Sequence, residues 1–253
     1  MAGISRTDEM AGISRTDRSA GSSCRLEWRL FLLGAWHLVG ADRPVDVGAN
    51  GQRLLALLAL RGRCDRSYLS GVLWPECSDP HAHGNLRATL SRLHRRNLAD
   101  PLESANGALM LRADVQVDVR DLVATASAVL NGRPPAATRS ALRALTGDDL
   151  LVGWYDDWVM LERERLRQLR RHALEELSAQ LLAAGNGPAA VEAALEAVAI
   201  EPLRESAHRA AIRAHLAEGN RAEAMRQFSQ LRRLLWHELG AEPSAVVTSL
   251  LSL

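Results

Sequence analysis

The sequence predicts a mostly α-helical protein: an N-terminal winged helix-turn-helix domain of the α+β class, followed by an all-α, tetratricopeptide-like helical repeat domain. Two observations predict this order. Strand-like alternation, three short helices and a hairpin turn occupy residues 26–112, and only helical patterns follow. Part of the helical half then repeats at a spacing of 34 residues. We expect a disordered tail at 1–23, the winged helix-turn-helix domain at 24–113 and the repeat domain at 114–253.

The tail and the first strands differ in their apolar content. Residues 1–18 are a nine-residue duplication with too few apolar side chains to offset the entropy of ordering. A period of two, typical of a strand, begins at residue 26: Leu26, Trp28, Leu30 and Leu32 alternate with Glu27, Arg29 and Phe31. The pattern continues to residue 47 around a turn at 40–44, so we expect a small N-terminal sheet.

Two short helices are predicted next. Asn50 is a plausible N-cap for a helix that ends at Gly62. Asp65 would cap a second helix, which stops before Pro75. Both carry apolar residues at helical spacing, so each is expected to bury one face.

The third helix has the clearest start signal. Asp79 is placed at the N-cap and Pro80 at the first helical position, where its missing N–H costs nothing. The helix is expected to run to about Asn97. Asn106-Gly107 then predicts a hairpin turn between two extended stretches. Strands, three helices and a hairpin, in that order, indicate a winged helix-turn-helix.

Residues after Val115 carry helical patterns only. The predicted helices are 118–131, 136–145, 156–184, 188–200, 204–218, 221–238 and 243–252. Leu182-Ala-Ala-Gly-Asn186 recurs as Leu216-Ala-Glu-Gly-Asn220, an offset of 34 residues that is typical of tetratricopeptide units. Such units bury their apolar faces against each other and form a curved surface.

Composition and charge restrict the classes of function that the chain can have. The chain is 47% hydrophobic, and its longest apolar run, Leu54–Leu60, is far short of the roughly 20 residues that cross a bilayer. With no secretory signal and three scattered cysteines, we expect a cytoplasmic protein with no membrane partner. All 31 basic side chains are Arg, which excludes a phosphate-loop or Schiff-base lysine. Residues 1–112 are net basic and 113–253 net acidic, which suggests nucleic acid and protein partners respectively.

The third predicted helix carries the candidate binding face. Leu86, Leu90 and Leu93 form one stripe, which should face the core. The opposite side combines small residues with Arg, and no acidic residue lies between Asp79 and Asp100. A face of this kind can enter a major groove, where Arg holds phosphates or reads guanine. The predicted DNA-binding residues are Asn85, Arg87, Ser91, Arg92, Arg95, Arg96 and, after the hairpin, Arg112. A solvated basic face without a ligand is the alternative.

Several segments resemble one family of bacterial regulators. Leu69-Ser-Gly-Val-Leu-Trp-Pro75 and Asn85-Leu-Arg-Ala-Thr-Leu-Ser-Arg-Leu-His-Arg-Arg96 are similar to the DNA-binding domain of the Streptomyces antibiotic regulatory protein family. Gly147-Asp-Asp-Leu-Leu-Val-Gly-Trp-Tyr-Asp-Asp-Trp-Val159, with residues 162–169, resembles the entry to that family's bacterial transcriptional activation domain. The motifs at 201–205 and 238–244 are also similar, so the resemblance covers about residues 26–253.

The resemblance implies a sequence-specific transcription activator. Family members bind direct repeats near promoters, often as side-by-side protomers, and contact RNA polymerase holoenzyme; an antibiotic or other secondary-metabolite gene cluster is the implied target. Two departures concern the binding surface: Gly84 interrupts the recognition helix, and the wing at 107–111 lacks an aromatic residue. The second function that the sequence allows is a protein–protein adaptor or ligand sensor, with the winged helix as a docking module.

Other residue patterns favour structural roles. Cys77, His81 and His83 supply three local ligands where structural zinc takes four, so we expect no metal. The adjacent acids at 148–149 and 156–157 are typical of helix starts, and no nucleophile–base pair converges, so we expect neither catalysis nor a cofactor. Trp154 and Trp158 are expected to pack in the core, with a partner anchor as the alternative. The charged run 162–171 predicts a solvated helix face or a polymerase contact.

Overall fold

The computed structural model describes residues 27–96, 98, 100–133 and 138–251. The tail predicted at 1–23 lies outside the described residues. The strands are β1 (Trp28–Phe31), β2 (His37–Gly40), β3 (Arg43–Val45), β4 (Cys64–Asp65), β5 (Leu102–Ala105), β6 (Ala108–Leu111) and β7 (Gln116–Val117). The helices are α1 (Ala49–Arg61), α2 (Arg66–Leu73), α3 (Asp79–Arg95), α4 (Asp118–Leu130), α5 (Thr138–Leu145), α6 (Asp157–Ala183), α7 (Gly187–Ile200), α8 (Glu205–Ala217), α9 (Arg221–Leu239) and α10 (Ala245–Thr248). The mostly helical fold class is confirmed.

The N-terminal sheet follows the predicted alternation. Its strand order is β3-β2-β1-β7, antiparallel except for the parallel pairing of β1 with β7. Trp28, Leu30 and Leu32 are buried on its inner face. Asp118, which opens α4, accepts hydrogen bonds at 2.9–3.0 Å from the backbone N–H groups of Leu32 and Leu33. The Asp118 side chain therefore ties the end of β1 to α4.

Two helix starts differ from the prediction. α1 begins after Gly48 rather than at an Asn50 cap, because the N–H groups of Gly51 and Gln52 already donate to the Gly48 carbonyl. α3 begins after Ser78, whose carbonyl accepts from Ala82 at 2.9 Å. Helical hydrogen bonding therefore starts two residues earlier in α1 and one residue earlier in α3 than the capping pattern indicates.

The second sheet is the predicted wing. It has the order β4-β6-β5, and β5 and β6 form an antiparallel hairpin. Asn106 and Gly107 at its turn have φ values of 51° and 79°, the left-handed geometry of a tight hairpin. Leu109 and Leu111 are buried against the shared core, which fixes the wing beside α1.

Successive helices pack on each other from α6 to α9. Alanines dominate the buried face of α7 and allow close helix approach: Ala190, Ala193, Ala194 and Ala197. Gly185 and Gly219 both have φ of 75°, so the two halves of the 34-residue repeat end their helices in the same turn. The last predicted helix, 243–252, is only α10 and a 3-10 turn at Ser249–Leu251.

The segment between α5 and α6 joins the two parts of the chain. Leu33 pairs with Leu150, and the Gly34 N–H donates to the Asp149 carbonyl at 2.8 Å. Leu151 and Val152 donate back to the carbonyls of Leu32 and Gly34, each at 2.8 Å. This segment, residues 147–154, is called the junction segment below. It extends the end of β1 with a short antiparallel pairing.

The charged run at 162–171 is only partly the predicted solvated face: Glu164, Arg165 and Arg167 are exposed, whereas Glu162 and Arg170 are buried. Glu162 is 3% exposed and pairs with Arg61 of α1 and with Arg165, both at 2.8 Å. Arg170 is 4% exposed and donates to the carbonyls of Gly147 and Asp148. Arg170 thereby satisfies two backbone carbonyls of the junction segment, whereas Glu162 is satisfied by the two arginines.

The tryptophans of the junction pack as predicted. Trp158 is buried, and its ring meets that of Trp154 edge to face, with ring centroids 6.5 Å apart. Trp154 is half-buried against the same core. The core-packing interpretation of this pair is confirmed.

Candidate nucleic-acid interface

The helix α3 divides into a buried and an exposed side. Ala82, Leu86, Thr89 and Leu93 are buried. Leu90, predicted in the core stripe, is only half-buried, and Thr89 takes the inward position. The Thr89 hydroxyl donates to the Asn85 carbonyl at 2.8 Å, so its burial leaves no unsatisfied group.

The predicted arginines of α3 all lie outside the core. The exposed residues on this side are Arg87, Ala88, Ser91, Arg92, His94, Arg95 and Arg96. Within the part of the chain that the structure describes, Arg87, Arg92 and Arg95 have no carboxylate partner. Unpaired guanidiniums on one helix face make a strongly positive surface.

Arg96 has one weak partner. Its guanidinium lies 3.5 Å from a carboxylate oxygen of Asp46, and both side chains are largely exposed. Exposed ion pairs of this kind contribute little free energy, because water and salt screen them. A phosphate could therefore replace Asp46 at small cost.

Asn85 and Ser91 occupy different places on the helix. Asn85 is half-buried, and its amide nitrogen points to the Cys77 sulfur at 3.8 Å. It therefore lies towards the α2–α3 loop. Ser91 is exposed, next to Ala88, where the side chains are small. Small residues here let a groove floor approach the backbone.

Arg112, also predicted, is occupied by two carboxylates. Its guanidinium donates to Asp114 and, at 3.2 Å, to Asp100. The hydrogen bond to Asp114 raises the pKa of Arg112 above its ordinary value. Asp100 also accepts from the Trp28 indole at 2.8 Å. Arg112 thus connects the base of the wing to the first sheet.

Sequence reasoning missed Arg66, the first residue of α2. It borders an open groove of about 370 Å³ together with Arg87, Ser91, His94 and Arg95. The signal was available, because in a helix-turn-helix the start of the second helix lies beside the third helix. Arg66 therefore extends the positive surface from α3 to α2.

The wing contributes no positive charge. Residues 102–111 contain one charged side chain, the exposed Glu103. The turn residues Asn106 and Gly107 are exposed as well. Contact by this hairpin with a phosphate backbone would therefore rest on backbone N–H groups and small polar side chains.

The histidines near the start of α3 contact the local chain. His81 meets the Ser78 hydroxyl at 2.8 Å, and a ring nitrogen of His83 meets the Asp79 carbonyl at 2.8 Å. Among the residues that the structure describes, no three His, Cys, Asp or Glu side chains are grouped closely enough to hold a metal ion.

Over the same described residues, no helix is both long and apolar enough to span a membrane.

Comparison with known proteins finds similarity over most of the chain. The family described as bacterial transcriptional activator domain matches residues 113–252. The regulatory protein AfsR of Streptomyces coelicolor is 32% identical over 228 residues, which cover 85% of this chain and 23% of AfsR. The chain therefore spans about a quarter of that relative.

A solved structure shares the fold. It is described as Mycobacterium tuberculosis EmbR in complex with low affinity phosphopeptide, and it superposes with a TM-score of 0.70 at 19% identity. The match covers 90% of this chain and 65% of that one. The fold of this chain, over nine-tenths of its length, therefore occurs in a second protein.

Proposed function

This chain belongs to the bacterial transcriptional activator domain family, and on that premise we propose that it binds promoter DNA through α3 and activates transcription by recruiting RNA polymerase. The family is one of transcriptional regulators, as the resemblance to the Streptomyces antibiotic regulatory proteins predicted. The single observation that carries the DNA-binding step is the row of exposed, unpaired arginines on α3.

The proposed roles of the positive residues follow from their position around α3, relative to its buried stripe. Arg95 and Ser91 lie opposite the buried stripe of α3, so they would reach base edges first. Arg66, Arg87, Arg92 and Arg96 lie on the flanks and would hold the phosphates on either side. Asn85 would position the start of the helix, and Arg112 would bind a phosphate only by giving up a carboxylate partner.

The operator would be a direct repeat, read by two protomers side by side. A monomeric winged helix covers few base pairs, so a second copy in the same orientation adds affinity through the shared DNA. The helical repeat domain, which is net acidic over residues 113–253, would offer the surface for RNA polymerase holoenzyme. The target would be a secondary-metabolite cluster, as the resemblance to the Streptomyces antibiotic regulatory proteins implies.

The test is binding to the DNA upstream of the neighbouring gene cluster, followed by transcription in vitro. We expect retardation that weakens steeply with salt, because bound arginines release counterions from the phosphates. Footprinting should protect two repeats in the same orientation. Addition of the protein to purified RNA polymerase should increase transcript from that promoter. Absence of retardation at low salt would overturn the proposal and favour the adaptor function.

A further inference from the structure

A cavity lies where the end of α3 meets the start of α1. Its volume is about 500 Å³, within the range of small-molecule sites. The first turn of α1, residues 48–51, forms one wall, and the last turns of α3 form the other. The cavity opens to solvent on the flank of α3 that carries Arg92 and Arg96.

The walls are mainly apolar. Ala49, Gly51, Leu93 and Leu98 contribute hydrocarbon or bare backbone. Gly51 is tightly enclosed, since a Cβ there would lie 2.7 Å from a methyl of Val47 and 3.1 Å from one of Leu93. The inner end of the cavity is therefore rigid and suits an apolar group.

The mouth is positively charged. Arg92, Arg95 and Arg96 all line it, and Arg92 and Arg95 lack a carboxylate partner among the described residues. The first turn of α1 contains no acidic residue, and no side chain caps it. An anionic group at the mouth would thus meet guanidiniums on one side and helix N–H groups on the other.

From this geometry we propose that the cavity binds a small amphipathic anion, with its apolar body against Leu93 and Leu98 and its carboxylate, sulfonate or phosphate between Arg92 and Arg95. A continuous DNA backbone does not fit, because it is hydrated along its length and cannot enter a hydrocarbon-lined cavity of this size. The bound ligand uses the same arginines as the operator and so competes with DNA. The competition between ligand and DNA rests on the proposed function, whereas ligand binding itself does not.

The first arm of the test measures ligand binding without DNA. The probe is 8-anilinonaphthalene-1-sulfonate, an aromatic body with one anionic group, titrated into the full chain and followed by fluorescence. We expect saturable binding of one probe per chain. N-phenyl-1-naphthylamine, which has the same rings without the sulfonate, should bind at least tenfold more weakly. Absence of saturable binding, or equal affinity for the two probes, would overturn the site.

Variants assign the probe to this cavity. Ala49→Trp should fill the opening, and Arg92→Gln should remove a charge at the mouth; each is expected to weaken the probe at least tenfold. Both positions are exposed, so the fold should persist, and circular dichroism checks this. Arg87→Gln removes the same charge on the opposite flank of α3, outside the cavity, and should leave probe binding unchanged. Equal binding by wild type and both cavity variants would overturn the assignment.

The second arm adds labelled operator DNA at fixed protein concentration. We expect the apparent Kd for DNA to rise linearly with the concentration of free probe, as competition for the same arginines requires. Probe binding at the cavity with an unchanged Kd for DNA would overturn the competition. Failure of the protein to bind any DNA would overturn the proposed function, whereas the first arm would still decide whether the site exists.

Discussion

At the scale of single residues, pairing decides what each charged side chain can do. Arg112 and Arg95 are both arginines at the predicted surface, but Arg112 is held by Asp100 and Asp114, whereas Arg95 has no carboxylate partner in the described chain. Glu162 and Arg170 lie in a charged run but are both buried: Glu162 pairs with Arg61 of α1, and Arg170 ties α6 to the junction segment. Sequence position alone does not separate these roles.

Replacement of Arg95 by Ala should weaken operator binding by about 1–3 kcal/mol if the guanidinium reads a base, which is roughly a 5- to 150-fold rise in Kd. Fluorescence anisotropy with labelled DNA measures this. Arg233→Ala removes an equally exposed arginine on α9 and is the matched control. Equal losses in the two variants would mean that only overall charge matters.

Asp118 gives a pH-dependent contribution to stability. Burial raises the pKa of Asp118 above its ordinary value of 3.8, and the N–H groups of Leu32, Leu33 and Val119 only partly oppose this. Between the unfolded and the raised native pKa, the native state binds more protons. The contribution of Asp118 to the free energy of unfolding therefore falls as the pH rises through that range.

Asp118→Asn removes this titration. Relative to the variant, the wild type should lose free energy of unfolding as the pH rises from about 4 towards neutral, and the difference should then level off. Urea unfolding at a series of pH values measures both proteins. Curves that stay parallel over the whole range would contradict the raised pKa.

At the scale of elements, local sequence signals determine where a helix forms, and backbone hydrogen bonds determine at which residue it begins and ends. α3 begins at Asp79 because the Ser78 carbonyl accepts the first helical bond. The hairpin forms where Asn106-Gly107 predicts it, since both residues adopt positive φ. α10 stops after one turn, where the sequence pattern indicated ten residues.

Gly84 lowers the stability of α3, and a methyl side chain at this position should restore it. A Cβ at this position meets no atom within 4 Å, so Gly84→Ala should raise the free energy of unfolding by about 0.5–1 kcal/mol. Denaturant titration measures the change. Gly107→Ala is the opposite control, because its φ of 79° strains an L-residue and should lower stability by roughly 1–2 kcal/mol. A lower free energy of unfolding in Gly84→Ala would contradict the claim that a Cβ at this position meets no neighbouring atom.

At the scale of the whole molecule, the junction segment makes the winged helix and the helical array one packed unit. Arg53 pairs with Asp156, and Arg61 with Glu162, so α1 is tied to the start of α6. Arg163 donates to the carbonyls of Leu150, Leu151 and Trp154 at 2.7–3.1 Å. The winged helix is therefore held to the start of α6 by these polar contacts and by a shared apolar core that includes Trp158, Val159 and Leu166.

Arg163→Met should loosen this junction. Loss of its hydrogen bonds to three carbonyls is expected to lower the free energy of unfolding by about 1–3 kcal/mol. It should also speed amide hydrogen exchange at Leu151 and Val152, whose N–H groups pair with the end of β1. Arg167→Met is the control, since Arg167 is exposed and lies 3.6 Å from Asp149. Equal exchange rates in both variants would contradict the role of Arg163.

The sequence by itself determined the order of elements, the hairpin, the repeat spacing and the arginine face of α3, because each depends on residues close together in the chain. Only the tertiary structure decided which arginines are paired, that Arg66 joins the surface, and that the run 162–171 is partly buried. Those properties depend on contacts between residues far apart in sequence, such as Arg61 with Glu162 or Arg66 with the α3 groove. Periodicity reports which residues share a face, but the partner that covers a face is set by how the helices pack.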